Sequence, residues 1–125
     1  MVRAIRSYFA SLRASRLFGR ASRLRDAGRM EESLSVARES LAVLRAPWVA
    51  RHRPAEGSVL LCATVLVEQV ASELNRPGAE KVDLADALAY LKMLPPNSAH
   101  DNLGSEKWAP YLESRLLAKG QSDAA

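Results

Sequence analysis

Few side chains in this 125-residue chain are able to do chemistry, and their spacing decides what they could do. His100, Asp101 and Asn102 are consecutive, a combination that suits a general base with an orienting carboxylate. Adjacent side chains in a polar loop usually point apart and into solvent, so this run predicts a solvated loop. His52, His100 and Cys62 are zinc-ligand types, but their spacing matches no zinc motif. We therefore predict no catalytic residue, no bound metal and no cofactor.

The other chemical candidates have simpler structural interpretations. The six glycines occur singly, so the chain has no glycine-rich phosphate loop. The acidic pairs Glu31/Glu32 and Asp83/Asp86 stand where helices are predicted to begin, and carboxylates there interact favourably with the helix dipole. Cys62 lies within an apolar stretch, which predicts a buried and unreactive thiol.

Composition is typical of a one-domain globular protein. Hydrophobic residues make up 48% of the chain and charged residues 26%, and the scarcity of aromatic residues (6%) favours helix over sheet. A single cysteine excludes an internal disulfide and predicts a reducing, cytoplasmic location. The longest apolar run, residues 59–67, is far shorter than the ~18–20 residues that span a bilayer.

Helices must position the chemical candidates named above, and the clearest helical pattern of apolar residues lies in residues 28–44. Apolar residues recur there at steps of four and three, which places them on one helix face and leaves charged residues on the other. Gly28 precedes this helix, where a preceding helix would end with a positive φ, and Pro47 closes its far end. The apolar positions are Met30, Leu34, Ala37, Leu41 and Leu44.

Residues 58–74 predict a buried central helix. Their first half is apolar all round, and polar residues then follow at helical spacing. A strand over residues 59–67 is the alternative on β-branched content, but no second strand candidate exists to pair with it. Trp48 and Trp108 are predicted to pack at helix ends, with an interface role as the alternative.

Two shorter helices follow. Asp83 is predicted to be the N-cap of a helix over residues 84–94, which Pro95-Pro96 stops. Pro110 is predicted to start a last helix, which Gly120 ends. Together these elements predict an all-α fold of about five helices.

The amino terminus differs in charge from the rest of the chain. Residues 1–29 hold eight arginines and one aspartate, whereas the remainder is mildly acidic. We therefore divide the chain into a basic amphipathic arm over residues 1–13, a single helical domain over residues 14–118 and a frayed tail over residues 119–125.

The apolar line of the arm does not continue into the next segment. At about 100° per residue, it is offset by roughly 140° from the apolar line of residues 14–27. Either the chain bends between Ala14 and Gly19, or the arm packs on something other than its own hairpin. The apolar line of the arm consists of Val2, Ile5, Tyr8, Phe9 and Leu12.

Residues 14–47 combine large and small apolar positions with a turn glycine, an acidic pair and a closing proline. This pattern resembles one tetratricopeptide repeat, with Leu17, Met30 and Ala37 where that family places aromatic residues. The resemblance implies stacked antiparallel helical hairpins, with residues 58–94 as the candidate second hairpin. The matching residues are Leu17, Ala21, Leu24, Gly28, Glu31, Glu32, Ser33, Ala37, Ser40, Leu41 and Pro47.

The resemblance also implies binding of a partner protein or peptide on the concave side, at first-helix positions that include Phe18, Ser22 and Arg25. We therefore predict a non-enzymatic adaptor whose arm contacts a partner protein or a second copy in a homodimer. The alternative is association of the arginine-rich arm with an anionic membrane or with nucleic acid. A solvated face is the remaining interpretation of its arginines.

Overall fold

Five helices and no strand make up the part of the chain that the computed structural model describes, which is residues 2–94 and 105–124. The all-α prediction is therefore confirmed, and the strand alternative for residues 59–67 is wrong. The predicted stop at Pro95-Pro96 and the His100 loop lie outside the described residues. The helices are α1 (Val2–Asp26), α2 (Met30–Leu44), α3 (Pro54–Leu74), α4 (Lys81–Met93) and α5 (Ser105–Ala124).

Helices α1 and α2 form an antiparallel hairpin. Gly28 ends α1 with a φ of 79°, as predicted, and the Arg29 N–H bonds the Leu24 carbonyl at 2.9 Å. Two buried hydroxyls join the helices at 2.7 Å each: Ser33 donates to the Ala21 carbonyl and Ser40 to the Ala14 carbonyl. From the first bond to the second, the donor moves seven residues forward along α2 and the acceptor seven residues back along α1. The two bonds therefore also fix the register of the helix pair.

Helices α3 and α4 form a second antiparallel hairpin. The Tyr90 ring lies directly against Gly57 near the start of α3. Near the end of α3, the Glu68 carboxylate accepts the Ala79 N–H at 2.7 Å. Asn75 ends α3 in the left-handed conformation, with a φ of 56°.

The two hairpins stack with α1 and α3 side by side and running in the same direction. Near the start of both helices the Ser7 hydroxyl donates to Glu56 Oε1 at 2.6 Å. Near their ends Arg25 Nη1 donates to Gln69 Oε1 at 2.9 Å. The core fills the space between these helices, and its largest fully buried apolar side chains are Leu41, Leu44, Leu60, Leu84, Leu112, Val67 and Val70.

Helix α1 runs without a break through the region where a bend was the alternative. Its amino-terminal half turns small residues inward, since Ser7, Ala10 and Ala14 are buried. Small side chains let α1 lie close to its neighbours, and the large apolar residues of the same segment consequently face outward.

Four predicted helix boundaries are wrong. Helix α3 begins at Pro54 rather than at residue 58. Helix α4 begins at Lys81, so Asp83 is not its N-cap but a buried residue of its first turn. Pro110 lies inside α5 and does not start it, and Gly120 does not end it. Residues 119–124, assigned to a frayed tail, belong to α5.

Within the described ranges, α3 is the one helix long and apolar enough to cross a membrane by length and composition. In this structure 61% of its most apolar window is buried inside the molecule. The core helix of a globular protein meets the same criterion, so this feature is weak evidence for a membrane span.

Candidate functional site: a groove between α1 and α3

An open groove of about 390 Å³ lies between the parallel helices α1 and α3. One wall is formed by Phe18, Ser22 and Arg25, which follow one another at steps of four and three along α1 and so share a face. They are among the residues that the repeat resemblance places on a concave surface, whereas Ser15 and Asp26, which it also places there, do not line the groove. The groove is lined by Phe18, Ser22, Arg25, Leu61, Cys62, Val65, Leu66, Gln69 and Trp108.

The floor of the groove comes from α3. Leu61, Val65 and Gln69 are spaced by four residues, and this spacing aligns them along the helix facing α1. Trp108, near the start of α5, completes the lining and packs edge-on against Tyr111 with ring centroids 5.8 Å apart. The lining is therefore mainly apolar and includes two aromatic side chains.

Polar groups converge at the end of the groove nearest the carboxyl termini of α1 and α3. Arg25 donates to Gln69 at 2.9 Å and more weakly to Glu73 Oε1 at 3.4 Å. A guanidinium carries five N–H donors, so these two bonds leave donors for an acceptor on a bound molecule. Arg25 is thereby held in place without being saturated.

Cys62 places a thiol in the groove lining, and burial raises its pKa above the ordinary value. The thiol is therefore protonated at neutral pH and a poor nucleophile, in line with the inert thiol predicted from the sequence. It is half-buried rather than sealed in the core, because the groove opens beside it.

This arrangement is suited to holding an apolar group and orienting it through a few polar contacts. Its volume lies in the range of about 300–1,000 Å³ that is usual for binding pockets. An aromatic ring and a guanidinium at the wall, Phe18 and Arg25, are residue types that dominate binding energy in protein interfaces.

A second surface lies on the opposite side of α1. All five apolar residues predicted for the arm are exposed, and Tyr8 and Phe9 pack edge-on with ring centroids 6.1 Å apart. We call this surface, together with the exposed Arg16, Arg20 and Arg23 that continue it along the helix, the outward face of α1. Its apolar residues are Val2 (72% exposed), Ile5 (54%), Tyr8 (53%), Phe9 (62%) and Leu12 (37%).

His52 takes part in an ionic network rather than in either surface. Its Nε2 lies 3.9 Å from Asp86 Oδ1, and Asp86 also pairs with Arg51 at 3.2 Å. Arg51 and Arg45 both pair with the fully buried Asp83, and hydrogen bonding to Asp83 raises the pKa of Arg45. The network connects the end of α2, the following loop and the start of α4. Within residues 2–94 and 105–124, no three side chains of histidine, cysteine, aspartate or glutamate come together as a metal site would require.

A smaller cavity of about 240 Å³ lies between α2 and the loop that joins α3 to α4. Three cations line it, but two of them bind groups of the protein itself. Arg38 donates to the Pro77 carbonyl at 2.5 Å, and Arg45 is paired with Asp83 and lies 4.0 Å from Glu80. Lys119 is the one lining cation that has no ion pair with a described residue, so we interpret this cavity as part of the scaffold.

Sequence reasoning missed the residues that α3 and α5 contribute to the groove. The apolar stretch over residues 59–67 shows no polar side that would mark one face as open, so Leu61 and Val65 could not be distinguished from the core. For Trp108 the sequence predicts packing at a helix end, and an interface role is only the alternative. The one local signal was the change to polar residues, Glu68 and Gln69, directly after the apolar stretch.

Comparisons with family models, curated proteins and solved structures find no match to this chain.

Proposed function

We propose that this protein is a non-enzymatic helical adaptor that binds a partner protein or peptide in the groove between α1 and α3. The observation that carries the proposal is the groove itself, which is open, apolar at its centre and polar at one end. Its volume suits one or two large apolar side chains from a partner. The described residues that line it include no histidine and no carboxylate, which are the usual general bases.

The chemistry of the lining defines the class of partner segment. A large apolar side chain would be buried between Phe18 and Trp108, on the floor formed by Val65 and its neighbours. A carboxylate or backbone carbonyl nearby would accept from Arg25. The expected ligand is therefore a short segment with a bulky apolar residue next to an acceptor.

The experiment is a peptide selection against the folded protein, followed by a protection assay on Cys62. This is the only cysteine of the chain, so a thiol reagent reports on the groove alone. Selected peptides should carry a bulky apolar residue and should slow the reaction of Cys62. Phe18→Glu should weaken their binding by at least about tenfold, since it puts a charge where an apolar contact is expected.

Val82→Glu is the matched control, because Val82 is an exposed apolar residue of α4 that does not line the groove. It should bind the peptides like the unmodified protein, and both variants should keep their helical circular dichroism. The proposal is wrong if no peptide is enriched, or if enriched peptides leave the Cys62 reaction rate unchanged at saturation.

A further inference from the structure

The outward face of α1 changes character along its length. Its amino-terminal half exposes five large apolar side chains, from Val2 to Leu12. Its second half continues on the same side with arginines: at about 100° per residue, Arg16 and Arg23 fall within about 20° of Ile5, and Arg20 within about 20° of Phe9. A compact apolar patch is thus joined end to end with a basic one on one straight helix.

The arginines of this second patch are uncompensated. Arg13, Arg16, Arg20 and Arg23 are exposed, and none forms an ion pair or hydrogen bond with another residue that the structure describes. The one acidic residue in α1 is Asp26, at its very end. Elsewhere in the chain Arg29 pairs with Glu32 and Arg76 with Glu31. Among the described residues, this half of α1 therefore gathers four exposed arginines that have no ion pair.

The combination restricts what can cover the face. A second copy of the chain would cover the apolar residues but would bring no carboxylate of α1 to the arginines, because the one acidic residue of this helix is Asp26 at its end. An anionic lipid surface supplies both halves of the match, because its headgroups attract arginine and its acyl boundary accepts exposed apolar side chains. The face also needs no folding on contact, since Ser7 and Ala10 already fix this part of α1 against the body.

We propose that the outward face of α1 docks the protein on an anionic lipid surface, with Ile5 and Phe9 in the headgroup–acyl boundary and Arg16, Arg20 and Arg23 against the headgroups. The proposal does not depend on the groove, which lies on another side of the same helix. Docking is peripheral, and the core helix α3 stays within the fold.

The test is sedimentation of the full chain with vesicles. The protein should bind vesicles of phosphatidylcholine containing one-third phosphatidylglycerol at low salt, bind them less as salt rises, and bind pure phosphatidylcholine weakly. Ile5→Asp/Phe9→Asp should abolish most of this binding. Arg16→Gln/Arg20→Gln/Arg23→Gln should weaken it by about fivefold per arginine, hence roughly 100-fold in all.

Matched controls come from exposed residues that do not belong to α1. Val82→Asp adds charge at an exposed apolar residue of α4, and Arg53→Gln removes an exposed arginine that precedes α3. Both should bind vesicles like the unmodified protein, and all variants should melt with unchanged cooperativity. The positions changed in α1 are exposed, so they test the surface rather than the fold.

Three results would overturn the proposal. One is equal binding to anionic and zwitterionic vesicles, or binding to neither. Another is loss of binding in the arginine variant alone, which would describe a purely electrostatic surface of the kind that also binds nucleic acid. The third is a stable dimer in light scattering that Ile5→Asp/Phe9→Asp converts to a monomer, which would assign the face to a second copy of the chain.

Discussion

The hydroxyl of Ser7 donates a hydrogen bond to the carboxylate of Glu56, 49 residues away in sequence, at 2.6 Å. The same hydroxyl accepts the Ala50 N–H at 3.2 Å, so it joins α1 to both the loop before α3 and α3 itself. Ser7 and Glu56 are 1% and 2% exposed. The amino-terminal segment is therefore attached to the body on one side while it exposes large apolar residues on the other.

Replacing Ser7 with alanine should lower the free energy of unfolding by about 1–3 kcal/mol, because a buried carboxylate loses its hydroxyl donor. The measurement is urea denaturation followed by circular dichroism. Ser15→Ala is the matched control, as Ser15 is exposed on the same helix and should change stability little. Equal midpoints for the two variants would show that the Ser7–Glu56 bond does not stabilise the fold.

Gly57→Ala should destabilise the protein by about 1–3 kcal/mol through overpacking. A Cβ atom at this position would overlap the ring of Tyr90, so that ring or the helix that carries it would have to move. Gly120→Ala is the contrasting change, because nothing lies within 4 Å of a Cβ there and alanine favours the helix by up to about 1 kcal/mol. The two substitutions should thus shift the melting temperature in opposite directions, and a stabilising effect at Gly57 would contradict the close packing.

Asp83→Asn should cost about 3–5 kcal/mol, since it leaves Arg45 and Arg51 without the buried carboxylate that both of them bind. Denaturation midpoints measure the loss directly. Asp26→Asn removes a carboxylate from the exposed end of α1 and should stay within about 0.5 kcal/mol of the unmodified protein. A loss at Asp83 no larger than the loss at Asp26 would mean that the network contributes nothing to stability.

Cys62 should react slowly with thiol reagents at neutral pH, and its reaction should reach full rate only above the pH at which a free thiol does. Burial raises its pKa in the folded protein, so the folded state holds this proton more tightly than the unfolded state. The corresponding stability is present below the thiol pKa of the unfolded chain and is lost as pH rises through the higher folded value. Reaction rates with a disulfide reagent across the alkaline range check the direction, and Cys62→Ser removes the effect on stability. A rate profile at or below that of a free thiol would contradict the burial.

The helices themselves were predictable because their signals are local. Apolar residues spaced by three and four positions mark α2. Gly28 marks the end of α1, because glycine adopts the positive φ found there without strain. Contacts between distant segments were not predictable in this way. A carboxylate at a helix start is locally typical of a cap, yet Asp83 is bound by arginines 32 and 38 residues earlier in the chain.

The orientation of α1 was only half predictable. The sequence indicates that the large apolar residues of the arm cannot share a face with the following segment on a straight helix, and the structure shows them exposed. That Ser7 and Ala10 are buried in their place depends on how closely the neighbouring helices approach. Similarly, only the positions of α1 and α5 decide which side of the wholly apolar stretch of α3 becomes the groove floor.

The unbroken course of α1 sets a fixed length between its two surfaces. At about 1.5 Å per residue, Phe9 and Phe18 lie roughly 14 Å apart along the helix axis. With the outward face of α1 on a lipid surface, Phe18 lies about 140° around the helix from Ile5, so the groove wall points away from that surface. A partner segment in the groove and a lipid surface on the outward face would therefore use the same straight helix at once, and no hinge in this protein would be needed between them.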